Sequence, residues 1–157
     1  MNVEAQRIAP APIRKTLRVR APRQKAFDTF VAMGGWWLKS HTLQTSGQRD
    51  VVIEPRPGGR WYDIGEDGTE MEWGRVLEWR APDRILLAWQ LNADWTYDPQ
   101  FETEIEVRFT PDGDHTIVDF EHRRLEAFGE RAAATAQAMD GGWGELLAGY
   151  ERSAERE

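Results

Sequence analysis

The sequence predicts an α+β domain in which a six- to seven-stranded antiparallel sheet wraps around a long C-terminal helix. Three observations predict this fold. Short segments of alternating apolar and polar residues recur between residues 51 and 123, turn residues separate them, and the last part of the chain has apolar residues at helical spacing. Six consecutive strands joined by short turns indicate an antiparallel meander, so the predicted element order is β-α-β(6)-α.

The first strand and the first helix are predicted before residue 34. Residues 13–20 alternate apolar and basic side chains, which is typical of a strand with one solvated face. Pro22 ends that strand and fits the first position of a helix, so a short amphipathic helix is predicted over residues 22–33. Residues 34–35 are glycines that end this helix, and a further helical turn is expected at residues 36–38 before a polar loop.

The six later strands are predicted from their turn residues and β-branched or aromatic content. The sequence Glu66-Asp67-Gly68 is a strong hairpin signal, and Pro82-Asp83 marks a second turn. The predicted strands cover residues 51–53, 60–64, 70–79, 84–91, 102–110 and 116–123.

The closing helix is predicted at about residues 130–153, on a single apolar face that runs from Ala132 to Tyr150. Residues 141, 142 and 144 are glycines, each of which lowers helix propensity by roughly 1 kcal/mol relative to alanine. Two explanations remain open: a mobile gate that admits a ligand beside Trp143, or close packing of the helix backbone against Trp36 or Trp37. The predicted domain covers residues 13–153, between a flexible N-terminus, 1–12, and a short tail, 154–157.

Composition excludes several classes of function. The chain has a net charge of -7 and no cysteine, which argues against nucleic-acid binding, zinc ribbons and thiol chemistry. Its longest apolar stretch, Phe30 to Leu38, is far shorter than the ~18 residues of a membrane span. The three histidines lack a common ligand spacing, and no phosphate-binding or serine-nucleophile motif is present. We therefore expect a cytoplasmic protein with no metal, no cofactor and no membrane insertion.

One strand presents a row of carboxylates at Glu102, Glu104 and Glu106. They alternate with apolar residues, so all three point away from the apolar face. A solvated sheet face is the favoured interpretation, although such a row would also suit a basic partner.

The eight tryptophans are the most informative feature of the sequence. Each indole buries on the order of 200 Å² and carries one N–H that needs an acceptor, which suits either a core or a pocket. A curved sheet around one helix often leaves a cavity that bulky aromatic residues line. His122 shares the inward parity of Val118 and Phe120, so it either contacts a ligand or is a satisfied core histidine. The predicted ligand-binding residues are Trp36, Trp37, Trp61, Trp73, Trp89, His122, Met139 and Trp143.

A set of short motifs carries a family resemblance over roughly residues 13 to 151. The motifs are Arg20-Ala21-Pro22 to Ala26-Phe27-Asp28, Gly34-Gly35-Trp36-Trp37, Pro57-Gly58-Gly59-Arg60-Trp61, Trp73-Gly74-Arg75-Val76, and His122 with Gly142-Trp143. Together they resemble the activator-of-heat-shock-protein-ATPase-like branch of the START-like (SRPBCC) superfamily. The resemblance implies the helix-grip fold, also seen in birch-pollen-allergen-like proteins, with a hydrophobic cavity between the sheet and the C-terminal helix.

The resemblance leaves three classes of function open. The first is a module that binds an apolar or aromatic small molecule, such as a lipid, a polyketide or a hormone. The second is a co-chaperone-like domain that acts on a chaperone ATPase, which implies a role in the stress response. The third is a cyclase or hydrolase, for which only His122, Asp63 or Arg75 could supply polar groups in the cavity. We expect binding rather than catalysis and assign no catalytic residue.

Overall fold

The structure, a computed structural model, describes residues 10–156 and has the predicted order of elements. Seven strands form one antiparallel sheet in the order β1-β7-β6-β5-β4-β3-β2, and the helix-grip fold is confirmed. The strands are β1 (Ile13–Val19), β2 (Gln48–Ile53), β3 (Arg60–Gly65), β4 (Glu70–Arg80), β5 (Arg84–Trp89), β6 (Thr103–Asp112) and β7 (His115–Arg123). The helices are α1 (Arg23–Val31) and α2 (Ala132–Ala154), with 3₁₀ turns at Met33–Gly35 and Leu125–Arg131.

Irregularities in strand pairing bend the sheet around α2. The register shifts between Trp61 and Tyr62 in the β3–β4 pair and between Val76 and Glu78 in the β4–β5 pair. Such bulges increase the local twist and bend the strand that carries them. At Gly74 an added Cβ would lie 1.8 Å from the carbonyl oxygen of Ala88, so only glycine fits where β4 and β5 approach.

The ends of the first helix differ from the prediction. Pro22 has an extended conformation and caps α1, which ends at Val31 because Ala32 leaves the helical region. The extra helical turn predicted at residues 36–38 lies three residues earlier, at Met33–Gly35. Of the predicted flexible N-terminus, residues 1–9 lie outside the described residues.

Helix α2 is continuous across its glycines and supplies the central layer of the core. Met139, Trp143 and Leu147 are buried against the sheet, and the Tyr150 hydroxyl donates a 2.7 Å hydrogen bond to the carbonyl of Ala26 in α1. Ala154, predicted as the first residue of a tail, is fully buried and is the last residue of the helix. Among residues 10–156, no helix combines the length and the apolar character that crossing a bilayer requires.

The three glycines at residues 141, 142 and 144 of α2 do not mediate the close packing against Trp36 or Trp37 that was one explanation for them. A Cβ added at residue 141 or 144 would meet nothing within 4 Å, and at Gly142 it would meet only His41 Nε2 at 4.0 Å. Close packing occurs instead at Gly149, where an added Cβ would lie 3.3 Å from the carbonyl oxygen of Trp36. The sequence analysis therefore placed this contact two turns too early in the helix.

Glu104 and Glu106 of β6, together with Glu102 just before the strand, lie on the outer face of the sheet in ion pairs. Glu102 pairs with Arg75 at 3.0 Å, and Arg123 bridges Glu104 and Glu106 at 3.1 Å each. Arginines of the neighbouring strands thus already neutralise the row. These carboxylates belong to a solvated, salt-bridged face and are not free for a basic partner.

Candidate functional site

A cavity of about 400 Å³ lies between α2, the sheet and the loop that follows α1. Its wall is mainly apolar, and among the described residues no Asp, Glu, Lys or Arg lines it. The wall consists of Trp37, Trp73, Trp89, Trp95 and Trp143, the smaller apolar residues Leu43, Leu91, Ala138, Met139, Gly142 and Leu146, and the polar residues Ser40, His41 and Thr42.

The five indoles of the wall contact one another in tilted or edge-to-face pairs. The centroids of Trp37 and Trp73 are 4.8 Å apart, and Trp37 meets Trp143 at 5.7 Å with an interplanar angle of 87°. Trp89 in turn meets Trp143 at 5.9 Å and Trp95 at 6.2 Å. Aromatic contacts of this kind are favourable, so the indoles stabilise one another in the wall.

The structure divides the predicted ligand-binding residues into two layers. Trp37, Trp73, Trp89, Met139 and Trp143 line the cavity. The other three, which do not line it, lie directly behind the wall: Trp36 contacts Trp37, Trp61 contacts Trp73, and His122 contacts both Trp89 and Trp143.

His122 is a satisfied core histidine that orients the wall. Its Nδ1 accepts a 3.1 Å hydrogen bond from Trp143 Nε1, so the proton of the neutral ring is on Nε2. Nε2 then donates to Thr103 Oγ1 at 2.8 Å. The Thr103 hydroxyl in turn donates to the carbonyl of Trp89 at 3.4 Å. Burial lowers the pKa of His122 to about 3, because the charged form would lose its hydration. The imidazole therefore stays neutral and holds Trp143 in place.

One side of the cavity is polar and lies on the loop between α1 and β2. Trp37 Nε1 donates to the carbonyl of His41 at 2.8 Å, which joins the indole wall to this loop. His41 Nδ1 lies 3.1 Å from Ser40 Oγ, and its Nε2 lies 4.0 Å from a carboxylate oxygen of Glu145 on α2. A ligand in the cavity would thus meet an imidazole and a hydroxyl on this side.

Asp63 anchors the same loop from outside the cavity. The side chain is fully buried, and its carboxylate accepts hydrogen bonds from Thr42 Oγ1 at 2.6 Å, Gln44 Nε2 at 3.0 Å and Gln48 Nε2 at 3.2 Å. These three donors satisfy a buried charge that would otherwise be costly. Asp63 therefore holds the polar side of the cavity in position. Neither it nor Arg75, whose side chain pairs with Glu102 on the outer face, lines the cavity.

Trp95 stands at the opening of the cavity on a strained turn. Its φ of 58° lies in the left-handed region, and its side chain is 45% exposed. The Asn92 side chain accepts hydrogen bonds from the backbone N–H groups of Asp94 and Thr96, and Arg131 binds Asp94 at 2.5 Å. A bulky residue in this region costs roughly 1–3 kcal/mol, so the surrounding contacts must hold the turn.

The sequence analysis missed Trp95 and the polar residues Ser40, His41 and Thr42. Both segments lie in irregular chain, where neither the strand nor the helix period indicates the direction of a side chain. The Asn92-Ala93-Asp94 run was a usable turn signal for Trp95, since Asn and Asp favour tight turns. No local signal places residues 40–42 against α2.

Comparisons with known proteins agree with this architecture. The family model described as activator of Hsp90 ATPase homolog 1-like protein matches residues 20–152. Among solved structures, the anthrahydroquino-γ-pyrone synthase Txn09, complexed with SUM, is 35% identical with a TM-score of 0.66 and covers 92% of this chain and 97% of that chain. The self-sacrificing resistance protein CalC from Micromonospora echinospora is 32% identical with a TM-score of 0.70, and the coverage is 91% and 93%.

A more distant solved structure shares the fold alone. The Aha1 dimer from Colwellia psychrerythraea is 14% identical with a TM-score of 0.62 and covers 93% of this chain and 97% of that chain. No curated protein matches the chain.

Proposed function

The chain belongs to the activator of Hsp90 ATPase homologue 1-like family of the START-like (SRPBCC) superfamily, and on that premise we propose that it binds a flat aromatic small molecule in the tryptophan-lined cavity. The observation that carries this proposal is the wall itself, in which five indoles surround about 400 Å³ and no Asp, Glu, Lys or Arg of residues 10–156 takes part. Ligand pockets commonly have volumes of roughly 300–1,000 Å³ and mostly apolar walls with a few polar groups.

The chemistry of the wall favours an aromatic ligand over a fatty-acid chain. Stacked or edge-to-face aromatic pairs contribute roughly 0.5–1.5 kcal/mol beyond the burial of their area. Flexible acyl chains gain no such term and lose more conformational freedom on binding. One of the two relatives above 30% identity supports this choice, because it is named as a synthase of an anthrahydroquino-pyrone and was solved in a complex.

Native mass spectrometry of the purified protein tests the proposal. A bound small molecule that disappears in a denatured control is the expected result, together with binding of the aromatic hydrocarbon fluorene in equilibrium dialysis. Gly142→Leu should abolish fluorene binding, because the new side chain enters the cavity. Gly144→Leu is the matched control, since residue 144 is exposed on the same helix and an added Cβ there meets nothing within 4 Å. The proposal fails if no ligand is retained and fluorene does not bind, or if the two variants behave alike.

A second candidate function is catalysis on the bound molecule, and His41 is the observation that favours it. Its imidazole lies on the wall, between the Ser40 hydroxyl and the Glu145 carboxylate, where it can exchange a proton with a ligand. The wild-type protein and His41→Phe, produced in the same host, should then retain molecules that differ in mass or, for an isomerisation, in chromatographic retention. Identical retained molecules would leave binding as the function.

The family description also raises a chaperone partner, which a separate assay addresses. Stimulation of an Hsp90-type ATPase by the purified chain would favour the co-chaperone alternative. An unchanged ATPase rate at a saturating concentration of the purified chain, which still binds fluorene, would favour the small-molecule function.

A further inference from the structure

The polar side chains of the cavity wall lie together on the loop between α1 and β2. Ser40, His41 and Thr42 are consecutive, and the rest of the wall consists of indoles and smaller apolar residues. The Thr42 hydroxyl is already used, because it donates to the Asp63 carboxylate at 2.6 Å and accepts from the backbone N–H of Gln44 at 3.0 Å. On this side of the cavity, the side chains with capacity left to bind a ligand are those of Ser40 and His41.

One ring nitrogen of His41 makes no hydrogen bond to residues 10–156. Nδ1 lies 3.1 Å from Ser40 Oγ, whereas Nε2 lies 4.0 Å from a carboxylate oxygen of Glu145, which is beyond hydrogen-bond distance. A carboxylate on that side favours the tautomer with the proton on Nε2, in which Nδ1 accepts from the Ser40 hydroxyl. Nε2 is then a donor that has no acceptor of its own.

This nitrogen lies where the loop meets α2, and a ligand can reach the ring that carries it. The His41 side chain is 32% exposed and lines the cavity. Gly142, which also lines the cavity, faces it from the helix: a Cβ added there would meet only His41 Nε2, at 4.0 Å. The missing side chain at residue 142 therefore leaves room for a ligand atom beside Nε2.

We propose that His41 orients the ligand by donating a hydrogen bond from Nε2 to an oxygen at one edge of an aromatic molecule. This inference rests on the proposed small-molecule function and specifies the chemical class of the ligand. The ring system packs among the indoles, and a carbonyl or carboxylate group supplies the acceptor oxygen. Pockets with mainly apolar walls commonly fix the orientation of a ligand through a few polar groups of this kind. Because the Glu145 carboxylate lies beside Nε2 and repels an anion, the carbonyl is the expected source of the oxygen.

Three probes with one ring skeleton test this inference in equilibrium dialysis. Fluorene has no oxygen, 9-fluorenone adds a carbonyl, and fluorene-9-carboxylate adds an anionic carboxylate. Because a neutral hydrogen bond contributes modestly in net terms, wild-type protein should bind fluorenone roughly threefold to tenfold more tightly than fluorene. Fluorene-9-carboxylate should bind less tightly than fluorenone. If it binds most tightly and His41→Phe removes that advantage, His41 is still the donor and the oxygen belongs to a carboxylate.

Three single substitutions locate the donor. His41→Phe keeps an aromatic ring and deletes both ring nitrogens, so it should bind fluorenone and fluorene with equal affinity. His41→Gln has an amide N–H₂ group that can donate and should keep part of the preference for fluorenone. His115→Phe is the matched control, because His115 begins β7 and does not line the cavity, and it should keep the wild-type preference. The ratio of the two affinities is the readout, because a change in cavity size affects both neutral probes alike.

Nuclear magnetic resonance of the histidine ring nitrogens gives a second measurement that needs no variant. The His41 Nε2 signal should shift more with fluorenone than with fluorene, whereas the His115 signals should respond to neither probe. If neither oxygenated probe binds more tightly than fluorene, or if His41→Phe keeps the wild-type preference, the inference is wrong and the proposed function stands. If none of the three probes binds and no small molecule is retained, both proposals fall.

Discussion

Acidification from about pH 7.5 to about pH 5 is expected to destabilise the protein through the buried imidazole of His122. The unfolded chain takes up a proton near the ordinary histidine pKa of 6.5, whereas burial lowers the pKa in the folded state to about 3. Below the unfolded value, the unfolded state therefore binds one more proton than the native state. The contribution of His122 to the free energy of unfolding is fully present above pH 6.5. It falls as the pH drops below that value and stops falling near the pKa of His122 in the folded state.

The size of the effect follows from proton linkage. One proton corresponds to about 1.4 kcal/mol per pH unit, so the free energy of unfolding should be about 2 kcal/mol lower at pH ~5 than at pH ~7.5. Glu78, Glu106 and Glu121 also have lowered pKa values, because hydrogen bonds from arginines favour their charged forms. Their contribution is lost only below their unfolded pKa of 4.5, so the interval above pH ~5 isolates the histidine.

Urea unfolding followed by tryptophan fluorescence at several pH values measures this loss. His122→Gln is the matched variant, because its amide oxygen can accept from Trp143 Nε1 and its amide N–H can donate to Thr103. This variant should lose about 2 kcal/mol less than wild type over the same interval. An equal loss in both proteins would refute the reasoning, since the pH dependence would then come from other groups.

Three further predictions concern the loop, the turn and the helix around the cavity. Asp63→Asn should lower the free energy of unfolding by roughly 1–3 kcal/mol in urea titrations and weaken fluorene binding, because the new N–H₂ group faces side-chain donors. An unchanged affinity for fluorene would contradict the role of Asp63 in holding the cavity loop. Trp95→Gly should be more stable than Trp95→Ala by about 1 kcal/mol, since the left-handed turn disfavours a Cβ, and the reverse order would argue against strain. Gly144→Ala should raise the melting temperature through about 1 kcal/mol of helix propensity, whereas Gly149→Ala should raise it less because its Cβ would approach Trp36. Equal increases in melting temperature would argue against close packing at residue 149.

Most of the fold could be predicted because its signals are local. The two-residue period and the turn residues predicted the strands, and the apolar face from Ala132 to Tyr150 predicted α2. Errors occurred where a distant contact decides the local structure. The turn at Met33–Gly35 and the packing at Gly149 are examples, since both depend on how the first helix meets the rest of the core.

The sequence by itself predicted that aromatic residues such as Trp89 and Trp143 face inward, because strand parity and helix periodicity act over a few residues. Only the tertiary structure decided which of them meet empty space. Trp61 and Trp73 are both buried on neighbouring strands, yet Trp73 lines the cavity and Trp61 lies behind it. That difference, like the position of Trp95 over the opening, depends on the sheet curvature and on how far a straight helix can fill it. It follows from contacts between residues far apart in the chain, which no local pattern encodes.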